Sequence, residues 1–178
     1  MKKILLSAFA LTALLTTGAS AASNSVGVGG EFTIGYVHSS LEDVNGNGVN
    51  ISYNFNLPVF TNGGTDKFFF VGGGFDVDMI AMDDGVTSDS SGLYGGEPKI
   101  YVGYNYGDFN VKAGAGYEWA TIDSTTLSGA TVSASAGWYF SEKYGVEVTY
   151  KHGSMELDVP TSPSLDMDNV GVNFVMHY

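Results

Sequence analysis

The 178-residue sequence contains no cysteine and no arginine. Without cysteine the fold relies on no disulfide, and a lipoprotein anchor on the mature N-terminus is excluded. Without arginine, and with 7 lysines against 19 acids, the chain carries a net charge of −12 and does not bind nucleic acid by neutralising phosphates. Beyond residue 21 no apolar run reaches the length of a membrane-spanning helix, and no segment repeats apolar residues at helical spacing. Glycine is abundant, 25 residues, and aromatics make up 13% of the chain. Many glycines and tyrosines with few charges describe a sheet protein with closely approaching backbones, not a disordered chain.

The N-terminus reads as an export signal. Lys2 and Lys3 precede an apolar run from Ile4 to Leu15, and Ala19-Ser20-Ala21 fits a small-residue cleavage site. The apolar run is too short to cross about 30 Å of hydrocarbon comfortably. Residues 1–21 are therefore expected to be a signal peptide and 22–178 one exported domain. Cleavage removes two lysines and takes the net charge to −14.

Read in steps of two, the exported part breaks into eight strands. Their apolar faces carry Ile34 and Tyr36; Ile51, Tyr53 and Phe55; Phe69, Phe75 and Met79; Ile100, Tyr104 and Tyr106; Phe109, Val111, Tyr117 and Trp119; Val132, Trp138 and Phe140; Tyr144, Val148 and Tyr150; Val172, Phe174, Met176 and Tyr178. Short connections fall at 61–66, 107–108 and 141–143. Longer ones are expected near 39–48, 80–96, 120–129 and 153–168. Eight antiparallel strands with short turns at one end and long loops at the other match an up-and-down barrel, and strands of about 9–12 residues cross a bilayer at a tilt.

A soluble periplasmic ligand-binding barrel would show the same alternation with its faces exchanged. Side-chain size decides between the two. The polar face carries mostly glycine, serine, threonine and asparagine, such as Gly35, Asn50, Ser52, Gly74, Gly114, Ser133 and Asn173. A narrow eight-stranded interior needs small side chains, whereas a solvated face carries long charged ones. The apolar face is large and turns aromatic toward the strand ends, as the girdles of a membrane barrel do. The fold class is an all-β, eight-stranded antiparallel transmembrane barrel.

In its eight strands and its aromatic C-terminal strand, the whole exported chain resembles the small bacterial outer-membrane barrels similar to outer membrane proteins A and X. The peptidoglycan-binding domain that follows the barrel in protein A is not expected in this chain. The resemblance implies a Gram-negative outer-membrane location, long loops outside the cell and both termini in the periplasm. It also implies lipid and lipopolysaccharide as surroundings, an assembly machinery that reads Val172, Phe174, Met176 and Tyr178, and a monomeric, structural or surface-interaction role with weak pore activity at most.

This phase sends Glu31, Asp76, Asp78, Lys99, Lys112, Glu118, Glu147 and Lys151 into the lumen. Such a network is either a gate or selectivity filter or a plug of ion pairs filling a small barrel. The expected loops are acidic, with Glu42, Asp43, Asp83, Asp84, Asp89, Asp123, Glu156, Asp158, Asp166 and Asp168. None has the spacing of a dedicated calcium loop, so neither metal nor cofactor is called for. "GVGG" at 27–30 and "VGGGF" at 71–75 precede neither a helix nor a Lys-Ser/Thr pair and are strand glycines.

One motif suggests chemistry. In "KHGSME", His152 and Ser154 lie two apart on one strand face. The pair resembles the site of the outer-membrane lipid A deacylases, which implies Ser154 as nucleophile, His152 as base and Glu156 or Asp166 as the orienting acid. Met155 stands where that family carries asparagine. The alternative to a non-enzymatic barrel is therefore a lipid A deacylase-like hydrolase.

Overall fold

A computed structural model describes residues 29–61, 67–83, 91–122, 125–157 and 164–178. The expected signal peptide, with Ala22 to Val28, and the acids Asp84, Asp89, Asp123 and Asp158 lie outside the described residues.

Every regular element described is a strand: β1 (Gly29–Leu41), β2 (Val44–Thr61), β3 (Lys67–Asp83), β4 (Ser91–Tyr106), β5 (Phe109–Ile122), β6 (Thr125–Tyr139), β7 (Tyr144–Leu157) and β8 (Ser164–His177). Each pairs antiparallel with the next, and β8 pairs with β1, closing a barrel. Closure leaves no sheet edge to be satisfied by lipid. Gly29 and Tyr178 lie at one end, here the termini end. The opposite end, here the hairpin end, carries the β1–β2 turn.

The strands are longer than the alternation suggested, 13 to 18 residues. The loop expected at 39–48 is a two-residue turn, Glu42-Asp43. Glu42 adopts a left-handed φ of 53°, a conformation that costs a non-glycine residue about 1–2 kcal/mol. Its backbone N–H donates to the Asp166 carbonyl at 3.0 Å, and its Oε1 accepts from the Asp166 N–H at 2.9 Å, so β8 holds the turn from both sides. Likewise β4 begins at Ser91 instead of near Ile100, and β8 begins at Ser164. Glu156, Asp166 and Asp168 are strand residues, not loop residues.

The outer wall is apolar over most of its height. Ile100, Val102, Val111, Val132, Val148 and Val172 are all exposed, while Glu31, Thr33, Asn54, Asn56 and Glu118 are buried inside. This excludes the soluble barrel with exchanged faces, whose apolar residues would fill the lumen throughout.

Near the hairpin end the two faces exchange roles. Along β3, Asp76 and Asp78 point inward, but so do Ile80 and Met82, while Ala81 and Asp83 point outward. The same inversion occurs on β1, where Val37 and Leu41 are inside and His38 is outside. Val37, Leu41, Leu93, Leu127, Met155 and Met167 belong to one buried apolar cluster within the barrel. Burying each larger side chain contributes about 1.5–3 kcal/mol. The barrel thus has a lipid-facing zone whose interior is polar apart from Phe68 and Phe70, buried with Tyr101 toward the termini end, topped by a shorter collar with an apolar interior and a polar wall.

Candidate functional site

Two regions concentrate chemistry-bearing side chains: the lumen, and the outer wall where the faces invert.

In the lumen three lysines organise six carboxylates. Toward the termini end, Lys112 Nζ on β5 lies 2.5 Å from Glu31 Oε1 on β1 and 2.8 Å from Glu147 Oε2 on β7. Glu31 also accepts from the Tyr139 hydroxyl at 3.1 Å and from the Asn54 and Asn56 amides at 3.4 Å. His177 Nε2 stands 3.7 Å away, its ring against Tyr139. Lys112 lies 5.8 Å from the centre of the Tyr101 ring, whose hydroxyl donates to Asn56.

Toward the collar, Lys151 on β7 forms ion pairs with three carboxylates. Asp78 on β3 is at 2.7 Å, Glu118 on β5 at 2.8 Å and Glu97 on β4 at 3.0 Å. Glu97 also accepts from the Thr131 hydroxyl, and Asp78 from the Asn50 amide at 2.7 Å. Between the clusters, Lys99 meets Asp76 at 2.8 Å. Lys99 therefore takes Asp76 alone of the two β3 aspartates, and Asp78 belongs to Lys151. A narrow polar space in mid-lumen is lined by Asn50, Ser52, Lys99, Thr149, Asn169 and Asn173.

Glu97, Tyr139 and His177 extend the network beyond the residues named from sequence. Glu97 follows two glycines and precedes Pro98, which reads as a turn, yet the step of two backward from Lys99 points to it. In register Asp76 stands opposite Glu97, a like-charge pairing that is unfavourable by itself and is offset here by Lys99 and Lys151. Tyr139 and His177 sit among aromatic and apolar residues, where only their parity marks them as inward. Above Lys151 the lumen is filled by the apolar cluster of the collar. Among the described residues no three His, Cys, Asp or Glu side chains are placed to hold a metal ion.

On the outer wall His152 Nδ1 lies 3.0 Å from Asp168 Oδ1, which also accepts from the Tyr150 hydroxyl at 2.6 Å. The acid that meets His152 is thus Asp168 and neither Glu156 nor Asp166. In register Asp166 stands opposite Ser154 and Asp168 opposite His152.

At the termini end, the Tyr178 N–H donates to the Gly30 carbonyl at 3.1 Å, and its ring lies 6.0 Å from that of Tyr53. A Cβ on Gly30 would meet the Tyr178 ring at 2.7 Å. The missing side chain on β1 is what lets the terminal ring lie across the closing seam. Val172, Phe174 and Met176 continue its face toward lipid.

This fold is the one shared by the small eight-stranded outer-membrane β-barrels. Neisserial surface protein A is similar with a TM-score of 0.52 and 10% identity, over 84% of this chain and 96% of that one. The attachment invasion locus protein Ail of Yersinia pestis is similar with a TM-score of 0.50 and 15% identity, over 84% of this chain and 99% of that one. The outer membrane protein OprG of Pseudomonas aeruginosa aligns over 88% of this chain with a TM-score of 0.46 and 10% identity, and over all of its own length. No family model matches the sequence, and no curated protein matches it.

Proposed function

We propose that this chain is a monomeric outer-membrane barrel of a Gram-negative envelope. It acts through its outer wall and collar, as a structural or surface-interaction protein, and not as an open pore. In this reading the termini end faces the periplasm and the hairpin end faces outward. Lipid and lipopolysaccharide surround the wall, and the assembly machinery reads the strand ending in Val172, Phe174, Met176 and Tyr178. The observation that carries the reading is the doubly filled lumen: ion-paired side chains fill its middle, and an apolar cluster closes the collar above them. Ions crossing such a lumen would have to displace buried ion pairs and then enter an apolar layer, both costly steps.

The test is gel mobility with and without boiling, combined with planar-bilayer recording. A folded barrel runs at a shifted position until heated and passes no steady current. A heat-modifiable band accompanied by large, steady single-channel currents removes the closed-barrel reading.

A specific observation supports a second reading, the deacylase-like hydrolase. Asp168 accepts from His152 Nδ1, which leaves Nε2 as the basic nitrogen on the face that carries Ser154. Ser154→Ala then abolishes acyl release from lipid A while leaving the heat shift intact. Absence of acyl release by the unaltered protein disposes of this reading and leaves the first untouched.

A further inference from the structure

One five-residue pattern occurs twice at the level where the faces invert. Tyr36-Val37-His38-Ser39-Ser40 on β1 and Tyr150-Lys151-His152-Gly153-Ser154 on β7 both read Y-x-H-x-S. In each copy the tyrosine, the histidine and the serine at the fifth position lie on the outer face, and the intervening residues point inward. In each copy the tyrosine hydroxyl and histidine Nδ1 meet on a single oxygen of the next strand. For Tyr150 and His152 this is Asp168 Oδ1 on β8, at 2.6 and 3.0 Å. For Tyr36 and His38 it is Asn47 Oδ1 on β2, with His38 at 2.9 Å. An oxygen that accepts makes Nδ1 the donor, so each neutral ring keeps its lone pair on Nε2, available to an outside partner.

The two copies form one surface. The register runs Tyr150–Val170–His38–Asn47 across β7, β8, β1 and β2, and the next row toward the hairpin end runs His152–Asp168–Ser40–Asn45. The row on the other side runs Val148–Val172–Tyr36–Val49. Within two rows the wall passes from valine to histidine, aspartate, serine and asparagine. The valine lane is continuous with the lipid-facing wall, so an occupant of this patch has an apolar part below and a polar part above.

The charges restrict the polar part. Lys99, Lys112 and Lys151 are in the lumen, and Lys67 and Lys143 are at the termini end. No lysine or arginine reaches the patch among the described residues, so it has no permanent cation for a phosphate. What it offers is imidazole, hydroxyl and amide groups with one carboxylate, Asp168, beside two tyrosine rings, a set suited to sugar hydroxyls.

We propose that this patch binds a glycosylated lipid of the membrane the barrel spans. The sugar hydroxyls meet His38, His152, Ser40 and Asn47, and the acyl chains run along the lane of Val148, Val172 and Val49. The proposal rests on the membrane-embedded reading, which the heat shift tests separately.

The sequence has three histidines, so the ring nitrogens are simple to follow by NMR. The folded barrel is placed in phosphatidylcholine nanodiscs alone, with a glucosyl diacylglycerol, with phosphatidylglycerol, or with soluble methyl glucoside. His38 and His152 shift saturably with the glucosyl lipid, while His177, buried beside Tyr139, stays in place. Tyr36→Phe combined with Tyr150→Phe weakens the response about tenfold, equivalent to about 1.4 kcal/mol, with His177 unchanged as proof of folding. The proposal is overturned by no shift, by an equal shift with phosphatidylglycerol or methyl glucoside, by equal movement of all three rings, or by an undiminished response in the double variant.

Discussion

Lys112 on β5 and Glu31 on β1 form an ion pair of 2.5 Å across the width of the lumen, joining residues 81 apart in sequence. Because β1 and β5 are opposite staves of the barrel, this contact forms only when the sheet has closed on itself.

Lys112→Ala therefore strands Glu31 and Glu147 without their ammonium partner. Removal of one member of a buried pair costs about 3–5 kcal/mol. Lys143→Ala, on the exposed β6–β7 turn, changes stability by less than about 0.5 kcal/mol. Urea unfolding in lipid vesicles measures both. Equal midpoints would falsify the assignment of Lys112 as a central brace.

The Lys151 cluster behaves asymmetrically. One ammonium faces three carboxylates, so Lys151→Met removes the cation on which Asp78, Glu97 and Glu118 converge and destabilises by about 3–5 kcal/mol. Glu118→Gln removes one of the surplus anions and keeps an oxygen for Lys151; it is neutral or stabilising. The comparison is of unfolding midpoints at neutral pH. A loss from Glu118→Gln as large as that from Lys151→Met contradicts the surplus.

Two glycines of β1 separate side-chain from backbone crowding. A Cβ on Gly30 meets the Tyr178 ring at 2.7 Å, and the ring can swing aside. On Gly35 it meets the Val172 carbonyl oxygen and the Asn173 Cα, which are backbone atoms of β8. Gly30→Ala costs less than about 1 kcal/mol, while Gly35→Ala pries at the closing seam and costs about 1–3 kcal/mol or more. The heat-modifiable fraction recovered from membranes at equal expression ranks them, and equal recovery speaks against this account of the seam.

Because the sequence has no cysteine, single thiols report the face inversion directly. Asn45→Cys, on the polar wall of the collar, reacts with a water-soluble maleimide in intact membranes. Val172→Cys, on the apolar wall, does not. Comparable labelling of the two moves the boundary away from the place assigned to it here.

The barrel was legible because period-two alternation is strict where lipid lies on one side and a crowded lumen on the other. The small residues of the inner face set its direction. What sequence reading shortened were the strand ends. In "DVDMIAMDD" the inward residues pass from Asp76 and Asp78 to Ile80 and Met82 without a break in the strand. An alternation whose sign changes looks like an alternation that stops, so in the sequence the collar reads as loops. Glu97 was hidden in the same way, behind two glycines and a proline that suit an outward bend as well as a turn. The partner of His152 was a matter of register: Asp168, not Asp166, stands opposite it.

The inversion of faces also fixes the depth at which the molecule floats. Were the barrel to sink by one row, His152, Asp168, Ser40, Asn45 and Asp83 would enter hydrocarbon; were it to rise by one, Val148, Val172, Tyr36, Val49 and Met79 would enter water. Each displacement costs several kcal/mol, since an ionised side chain and its neighbours resist lipid and five apolar side chains resist water. The two penalties rise from the same ring of residues, so the wall acts as a waterline with a steep restoring force on either side. Lipids of unsuitable length must stretch or compress to meet it; the barrel does not slide to meet them.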